Sequence, residues 1–429
     1  MIEVLTPRDA ALNRLALGLL LAAGLNGLLG LLLAAAALAG ADTASLGLAL
    51  AGGLGAHALL LLVIGLLANA GVGLLLATTV LAQESAAWAL AGGLLVCNGL
   101  ALAAWAYWPA VLGLLMGGWA LWHMLRDRAA FHSNPVTLKE LRGRMRGVRS
   151  FAIITVFLML MGIFTVLLYL LALSQITGST VIETGQLGRA LFRGVVGVEL
   201  ALIVLIVPAL TAGAISGERE RHTYDLLTTT LLPAPTFLVG KMVSALGYMA
   251  LLVLAAIPLQ SVAFLFGGVS QTEILLAVVG LMTTALLLAA LGLFFSATTE
   301  RTLQATIRVY VAAVVVMIGL PVLSGVLFNG AFGYAINGVG LPSASAAQEA
   351  RMIYADMLMT GLNPVTSALY TQQILVNHQS PLLFSVRLAS SGELLPVIAP
   401  WAILVVTYLG AAGVLLLAAV RAMRPRDRA

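Results

Sequence analysis

Residues 151–171 read FAIITVFLMLMGIFTVLLYLL, and the block just before them, Arg126 to Arg149, holds seven basic residues. A helix needs about 20 apolar residues to cross the hydrocarbon core of a bilayer. An apolar run of that length placed directly behind a basic cluster reads as a span that starts on the cytoplasmic side. The rest of the chain repeats the pattern. Its 429 residues are 61% hydrophobic and only 9% charged, with a mean hydropathy of +1.06. Soluble proteins are about 45–50% apolar and about 25% charged. Too little polar surface is present to face water all round, which excludes soluble enzymes, nucleic-acid modules and disordered chains. The single Cys97 excludes a disulfide within the chain and a multi-thiolate metal site.

Ten apolar stretches separate at polar breaks: 13–39, 53–81, 86–105, 108–125, 149–174, 188–214, 237–265, 273–297, 304–328 and 397–421. The fold class is therefore an all-α polytopic membrane protein of about ten transmembrane helices. Tyr107, Trp108 and Pro109 suit an interfacial turn between the third and fourth spans. Ten spans put both termini on one side. With that side cytoplasmic, only Arg189, Arg193, Arg351 and Arg387 of the 22 basic residues fall outside, as the positive-inside rule expects.

The chain divides at the basic linker. Residues 1–125 form an N-terminal region of four spans. Residues 126–148 are the linker, and 149–429 hold six spans. Within the linker, Asn134 is a good N-cap and Pro135 suits the first helical position, where a missing N–H costs nothing. Leu138, Leu141, Met145 and Val148 then recur at helical spacing. Lys139, Arg142, Arg146 and Arg149 can reach anionic headgroups, so an amphipathic helix on the inner leaflet is expected. A second polar segment, 215–232, lies between spans six and seven. Glu218, Glu220 and Asp225 beside Arg219 and Arg221 make a dense charged surface, and Tyr224, Leu226 and Leu227 offer apolar contacts. A solvated loop with i,i+4 salt bridges is the simpler alternative, but a cytoplasmic protein partner explains its length better.

The run Glu218-Arg219-Glu220-Arg221-His222-Thr223-Tyr224-Asp225-Leu226-Leu227, with Gly240-Lys241 after it, resembles the ABC-2 type transporter permeases. These are the membrane subunits of ATP-binding-cassette exporters, with a pattern close to E-R-E-x-G-T-x-E-x-L and a G-K opening the next span. Glu218, Arg219, Glu220, Thr223, Asp225 and Leu227 match. His222 stands where the family usually has Gly, and Leu231 where it often has Pro. Asn134-Pro135 ahead of the first core span and Asn363-Pro364 ahead of the last add to the likeness, which covers 134–429. The four N-terminal spans are an addition to the usual six.

The resemblance implies that 134–147 is a connecting helix. It also implies that 215–232 contains a coupling helix docked on a separate ATP-binding subunit, through Glu218, Arg219, Glu220, Arg221, His222, Thr223, Tyr224, Asp225 and Leu227. It implies a second permease copy, or a related permease, as a further partner. The chain has no G-x-x-x-x-G-K-[ST] phosphate loop, because Gly240-Lys241 is followed by Met242. ATP and Mg would therefore belong to the partner subunit, with no cofactor, metal or catalytic residue expected in this chain.

Other polar residues inside the apolar stretches invite function by their cost, about 2.5–3.5 kcal/mol for an ionisable group at a helix centre. Glu199 in span six reads either as part of a translocation path or dimer interface, or as a carboxyl satisfied by a neighbouring span. His57 reads as a satisfied interior histidine. The outer segment 329–396, broken at Pro342, Pro364 and Pro381, carries an amphipathic candidate near 351–374. Met357, Met359 and His378 in it, and Met159 and Met161 in span five, are better explained by packing than by a soft metal. Gly113 and Gly117 fit a small-xxx-small helix contact. Neither H-E-x-x-H nor G-x-S-x-G occurs, which weighs against a membrane-embedded enzyme. Paired interrupted helices of an ion-coupled secondary transporter are not evident either; the two N-P-V-T tetrapeptides, at 134 and 363, lack similar flanks.

Overall fold

The computed structural model describes residues 7–38, 58–105, 107–126, 135–145, 148–176, 184–223, 233–328, 331–337 and 345–423. Four helices come first: α1 (Pro7–Leu38), α2 (Ala58–Leu81), α3 (Ala86–Trp105) and α4 (Ala110–Arg126). The short α5 (Pro135–Met145) follows, then α6 (Val148–Ile176), α7 (Thr184–Thr211), α8 (Ser216–Glu220), α9 (Ala234–Leu265) and α10 (Gln271–Thr298). The next long helix is α11 (Thr302–Val314), a π-turn (Val315–Gly319) and α12 (Leu320–Phe328) in one rod. After α13 (Ala331–Ile336), α14 (Ala346–Leu362) and α15 (Pro364–His378), a two-stranded hairpin precedes the last helix, α16 (Pro400–Met423). Its strands β1 (Leu383–Arg387) and β2 (Leu394–Ile398) run antiparallel, with Ser385 opposite Pro396.

Among the described residues, nine helices are long and apolar enough to cross a membrane. The protein is a multi-pass helical membrane protein. Nine of the ten apolar stretches coincide with these helices to within a few residues. The remaining one, 108–125, is helix α4, whose 17 residues stop short of a comfortable crossing. Its start is set by the turn at Tyr107-Trp108-Pro109, where Trp108 is exposed while Tyr107 is 4% exposed and its hydroxyl donates to the Leu62 carbonyl on α2 at 3.1 Å.

The core sits around α10, which is apolar all round and rich in small residues. Thr283, Thr284, Ala285, Ala289, Ala290, Gly292 and Ser296 are buried along it and let neighbours approach closely. A side chain at Gly292 would collide with Thr211 of α7. Helices α7, α9 and α16 complete the largest buried cluster.

The four N-terminal helices are not a separate body. Gly71 of α2 lies against the backbone of Gly410, and Gly413 lies against Leu74, so α2 packs directly on α16. Asn69 and Asn98 exchange reciprocal amide hydrogen bonds at 2.9 and 2.8 Å and tie α2 to α3. Gly117 and Gly113 mark the α3–α4 crossing, against Ala91, Leu94 and Leu95 for one and the Asn98 side chain for the other. His57 lies outside the described residues.

Candidate functional site

The end of the bundle that carries Arg219, Arg221, Lys241 and Arg301 is here the basic end; the end that carries the β-hairpin is the hairpin end. The segment after α7 is built by hydrogen bonds before it is built by charge. Ser296 Oγ accepts from the backbone N–H of Ile215 (2.9 Å) and Ser216 (3.0 Å), so the first turn of α8 is satisfied by α10 instead of by a local cap. Ser216 itself is fully buried.

Three charged residues of α8 then reach three different elements. Glu220 accepts from Thr302 N at 2.7 Å and from Thr302 Oγ1 at 3.0 Å. It thereby serves as the cap of α11, whose own N-cap residue, Arg301, supplies none. Arg219 donates to the Thr299 carbonyl at 3.1 Å, at the end of α10. Glu218 accepts from Thr223 and lies 3.8 Å from Lys241 Nζ. Lys241, almost buried on α9, makes its shorter contact, 2.7 Å, with Glu140 of α5.

Of the residues read as a coupling surface, then, Glu218, Arg219, Glu220 and Thr223 are held by the chain itself. Arg221 and His222 are exposed. His222 has φ +55°, a left-handed conformation that glycine adopts more easily, so the position where the resembled family usually carries Gly has a backbone suited to it. Tyr224, Asp225, Leu226, Leu227 and Leu231 lie outside the described residues.

The connecting helix runs as α5 from Pro135 to Met145 and lies along α9, with Leu141 close to Gly247. Lys139 and Arg142 are exposed. Asn134 and Arg146 are outside the described residues, and Arg149 begins α6 without a described side chain. Two further bonds fix this end to the N-terminal region: Thr137 Oγ1 to Glu84 (3.4 Å) and Thr236 Oγ1 to the Ala82 carbonyl (3.1 Å).

The hairpin end differs from the single amphipathic helix expected near 351–374. The chain breaks at Asn363-Pro364, and α14 and α15 form a helical pair whose apex reaches the middle of the α11–α12 rod. The reason lies in Pro321. Proline has no N–H to give the carbonyl one turn earlier, and its ring crowds that carbonyl. The rod responds with the π-turn 315–319. Asn363 Nδ2 fills the gap, donating to Val316 O at 2.7 Å and Met317 O at 3.0 Å. Its Oδ1 meanwhile caps α15 by accepting from Val365 and Thr366 N–H. One buried amide thus joins a broken rod to a broken helical pair. Asp356 adds a second tie, accepting from Ser324 Oγ and from Phe332 N–H at 2.9 Å.

Between this pair and the bundle lies a cavity of about 540 Å³, walled by α7, α10, Met317, α15 and the start of α16. That volume is within the usual range of about 300–1,000 Å³ for small-molecule sites. Its walls are almost wholly apolar: Phe192, Val196, Leu200, Leu276 and Leu281 are representative. The polar exceptions are Arg193, Glu273, Thr284, Ser367, Thr371 and Gln372. Glu273 is occupied by the Ser270 capping box and by Gln372 Nε2 at 3.1 Å.

Glu199 does not line this cavity. It is 1% exposed and accepts two hydrogen bonds from Gln260 Nε2, at 2.9 and 2.7 Å, inside the α7–α9 contact of one chain. Gln260 is the partner that sequence reading did not supply. Glu140, Ser296, Thr302, Pro321 and Asn363 were likewise not marked as a set, because their partners are far away in sequence. Met357 and Met161 are core side chains, Met159 faces outward, and His378 stacks on Phe384. Among the described residues no group of three or more His, Cys, Asp or Glu is placed to hold a metal ion. No family model and no curated protein matches the chain.

Proposed function

We propose that the chain is the permease subunit of an ATP-binding-cassette exporter, driven by ATP hydrolysed in a separate subunit docked at the basic end. The observation that carries this reading is the construction of 216–223. A five-residue helix between two spans is bonded at once to α10, α11 and, through Lys241, to α5 and α9. A mere connector has no need of four separate attachments, whereas a part that receives force does. The likeness of 218–227 and Gly240-Lys241 to ABC-2 type permeases points the same way.

In this reading the basic end is cytoplasmic, α4 counts as a tenth crossing, and both termini lie in the cytoplasm of a cell bounded by this membrane. Two copies, or this chain with a related one, share a pair of ATP-binding subunits. Arg221, His222 and the residues that follow meet the partner, while Glu218, Arg219 and Glu220 anchor the segment. Closure of the partner displaces α8; Glu220 passes the displacement to α11; the π-turn lets the rod bend; and Asn363 passes the bend to α15, which walls the cavity. Two of these links, Glu220 to Thr302 and Asn363 to the π-turn carbonyls, are hydrogen bonds between separate elements, the kind of contact through which rigid-body transitions are relayed.

The test is purification of the full chain from its native membrane in mild detergent. An ATPase with a phosphate-binding loop should accompany it, and the chain freed of that protein should hydrolyse no ATP. Arg221→Glu should release the ATPase. ATP hydrolysis by the isolated chain, or retention of the ATPase by the variant, contradicts the reading.

A further inference from the structure

We propose that the cavity at the hairpin end binds a single-chain anionic amphiphile, with its tail between α7 and α10 and its acidic head at Arg193, whether or not an ATPase drives the chain. Four observations converge on this occupant. The first is the wall, apolar over nearly its whole area, which offers a hydrated solute nothing in exchange for its water.

The second is the opening. Leu205, Val365 and Leu369 line the cavity and are still 57%, 41% and 46% exposed. At that depth along the spans an exposed apolar rim opens to hydrocarbon, so the natural entrant is something already dissolved in the membrane.

The third is charge. Arg193 is exposed, and among the described residues its one hydrogen bond runs from Nε to the Arg189 carbonyl. The one carboxylate on the wall, Glu273, is taken up by Ser270 and Gln372. Glu273 keeps its charge but is held by those bonds on α10, whereas Arg193, at the hairpin end and one turn from a second cation, Arg189, pairs with no carboxylate among the described residues. An anionic head is the complement.

The fourth is unpaired polarity. Ser367 and Thr371, one turn apart on α15, are 1% and 5% exposed and line the cavity, and neither hydroxyl meets a hydrogen-bond partner. Buried hydroxyls are normally paired. Both oxygens lie beneath the wall surface, and rotation of either side chain toward the cavity would let it donate to the carboxylate of an amphiphile.

Gly197 gives a direct way to test occupancy. It lies on the cavity wall, and a Cβ built there meets nothing within 4 Å, so the backbone leaves room for a side chain to start toward the cavity. Gly162 on α6, equally open but away from the cavity, is the control.

The experiment places the full-length chain in nanodiscs of zwitterionic lipid and labels it with a diazirine-bearing palmitic acid, the labelled peptides being read by mass spectrometry. Labelling should saturate in 192–205 and 364–375 and be displaced by unlabelled palmitate. Gly197→Trp should abolish it while Gly162→Trp leaves it intact. Arg193→Gln, a change at an exposed position, should weaken it by about tenfold or more, as expected for the loss of a charge-assisted hydrogen bond. Labelling spread over the exposed faces of α6 and α11 without saturation would overturn the site. Equal displacement by a zwitterionic lysolipid would overturn the anionic head. No ATPase and no transport enter the measurement, so its failure and the failure of the permease reading can be told apart.

Discussion

The two ends of the bundle use polar residues in opposite ways. At the basic end, charges are dense and tied to neighbouring elements: Lys241 to Glu140 and Glu218, Glu220 to the start of α11, Arg219 to the end of α10. At the hairpin end, the cavity wall carries few polar groups. Asn363 is spent on a break in a neighbouring helix, and the residues around the cavity leave two hydroxyls and one arginine with capacity to spare. A network without spare capacity is stiff and transmits displacement; a region with space and unspent donors can accept a molecule. The contrast assigns grip to one end and room to the other, and each prediction below attacks one side of it.

The largest effect is expected at Asn363. Asn363→Ala leaves two part-buried carbonyls without that donor, at about 0.5–1.5 kcal/mol each, and removes a helix cap worth about 1 kcal/mol. Thermal unfolding in detergent should fall accordingly. Asn363→Asp keeps the cap acceptor but turns an acceptor oxygen on the two carbonyls, so it should recover none of the loss. In a Pro321→Ala background, where the rod regains its own N–H, Asn363→Ala should cost clearly less. A full cost in that background would show that Asn363 does not answer Pro321.

Next comes the basic end. Lys241→Met preserves bulk and removes the charge between Glu140 and Glu218. A loss of about 1.5–3 kcal/mol is expected, the range for hydrogen bonds to charged groups. Adding Glu140→Gln should restore part of it, and strictly additive losses would mean that the pair is not coupled.

A smaller, pH-dependent effect belongs to Glu349, on α14 outside the spans. Burial works to raise its pKa. The hydroxyl of Ser390 and the N–H groups of Ala389 and Ser390 bond the ionised form and outweigh that, so its pKa lies below the usual carboxylate value. A depressed folded-state pKa gives stability that is present above the unfolded value, near 4.5, and is lost as pH falls through the folded one. Protease nicking of the turn at 388–393 should rise below about pH 4.5. Glu349→Gln should nick readily and show no such dependence. The smallest structural effect is expected for Arg221→Ala, an exposed change that should move stability by less than about 0.5 kcal/mol while still weakening ATPase association.

How much of this was legible beforehand follows from how far each partner lies along the chain. The spans were legible, because an apolar run such as 151–171 declares itself locally. So was the helix start at Pro135; the second N-P-V-T tetrapeptide, set aside for its dissimilar flanks, likewise has its proline at the first position of a helix, with Asn363 as the cap. The depth that Asn363 reaches was not legible, since it depends on a carbonyl orphaned by Pro321 over 40 residues earlier. Lys241 and Glu140 are 101 residues apart, and nothing near either one names the other. Glu199 was noticed for its cost, but its partner Gln260 sits on another helix. The cavity is partly a matter of missing side chains, and Gly197 does not stand out among 44 glycines.

The central claim is that displacement of α8 reaches α15, and a distance measurement tests it most directly. With the exposed Cys97 replaced by Ser, spin labels at Leu275 on α10 and Leu369 on α15, both exposed, report the wall of the cavity. In the assembled complex, an ATP analogue should shift the distance between them, and Glu220→Gln, which weakens the grip on α11, should diminish the shift while ATPase association persists. A distance indifferent to nucleotide, or a full shift in the Glu220→Gln complex, would contradict the account.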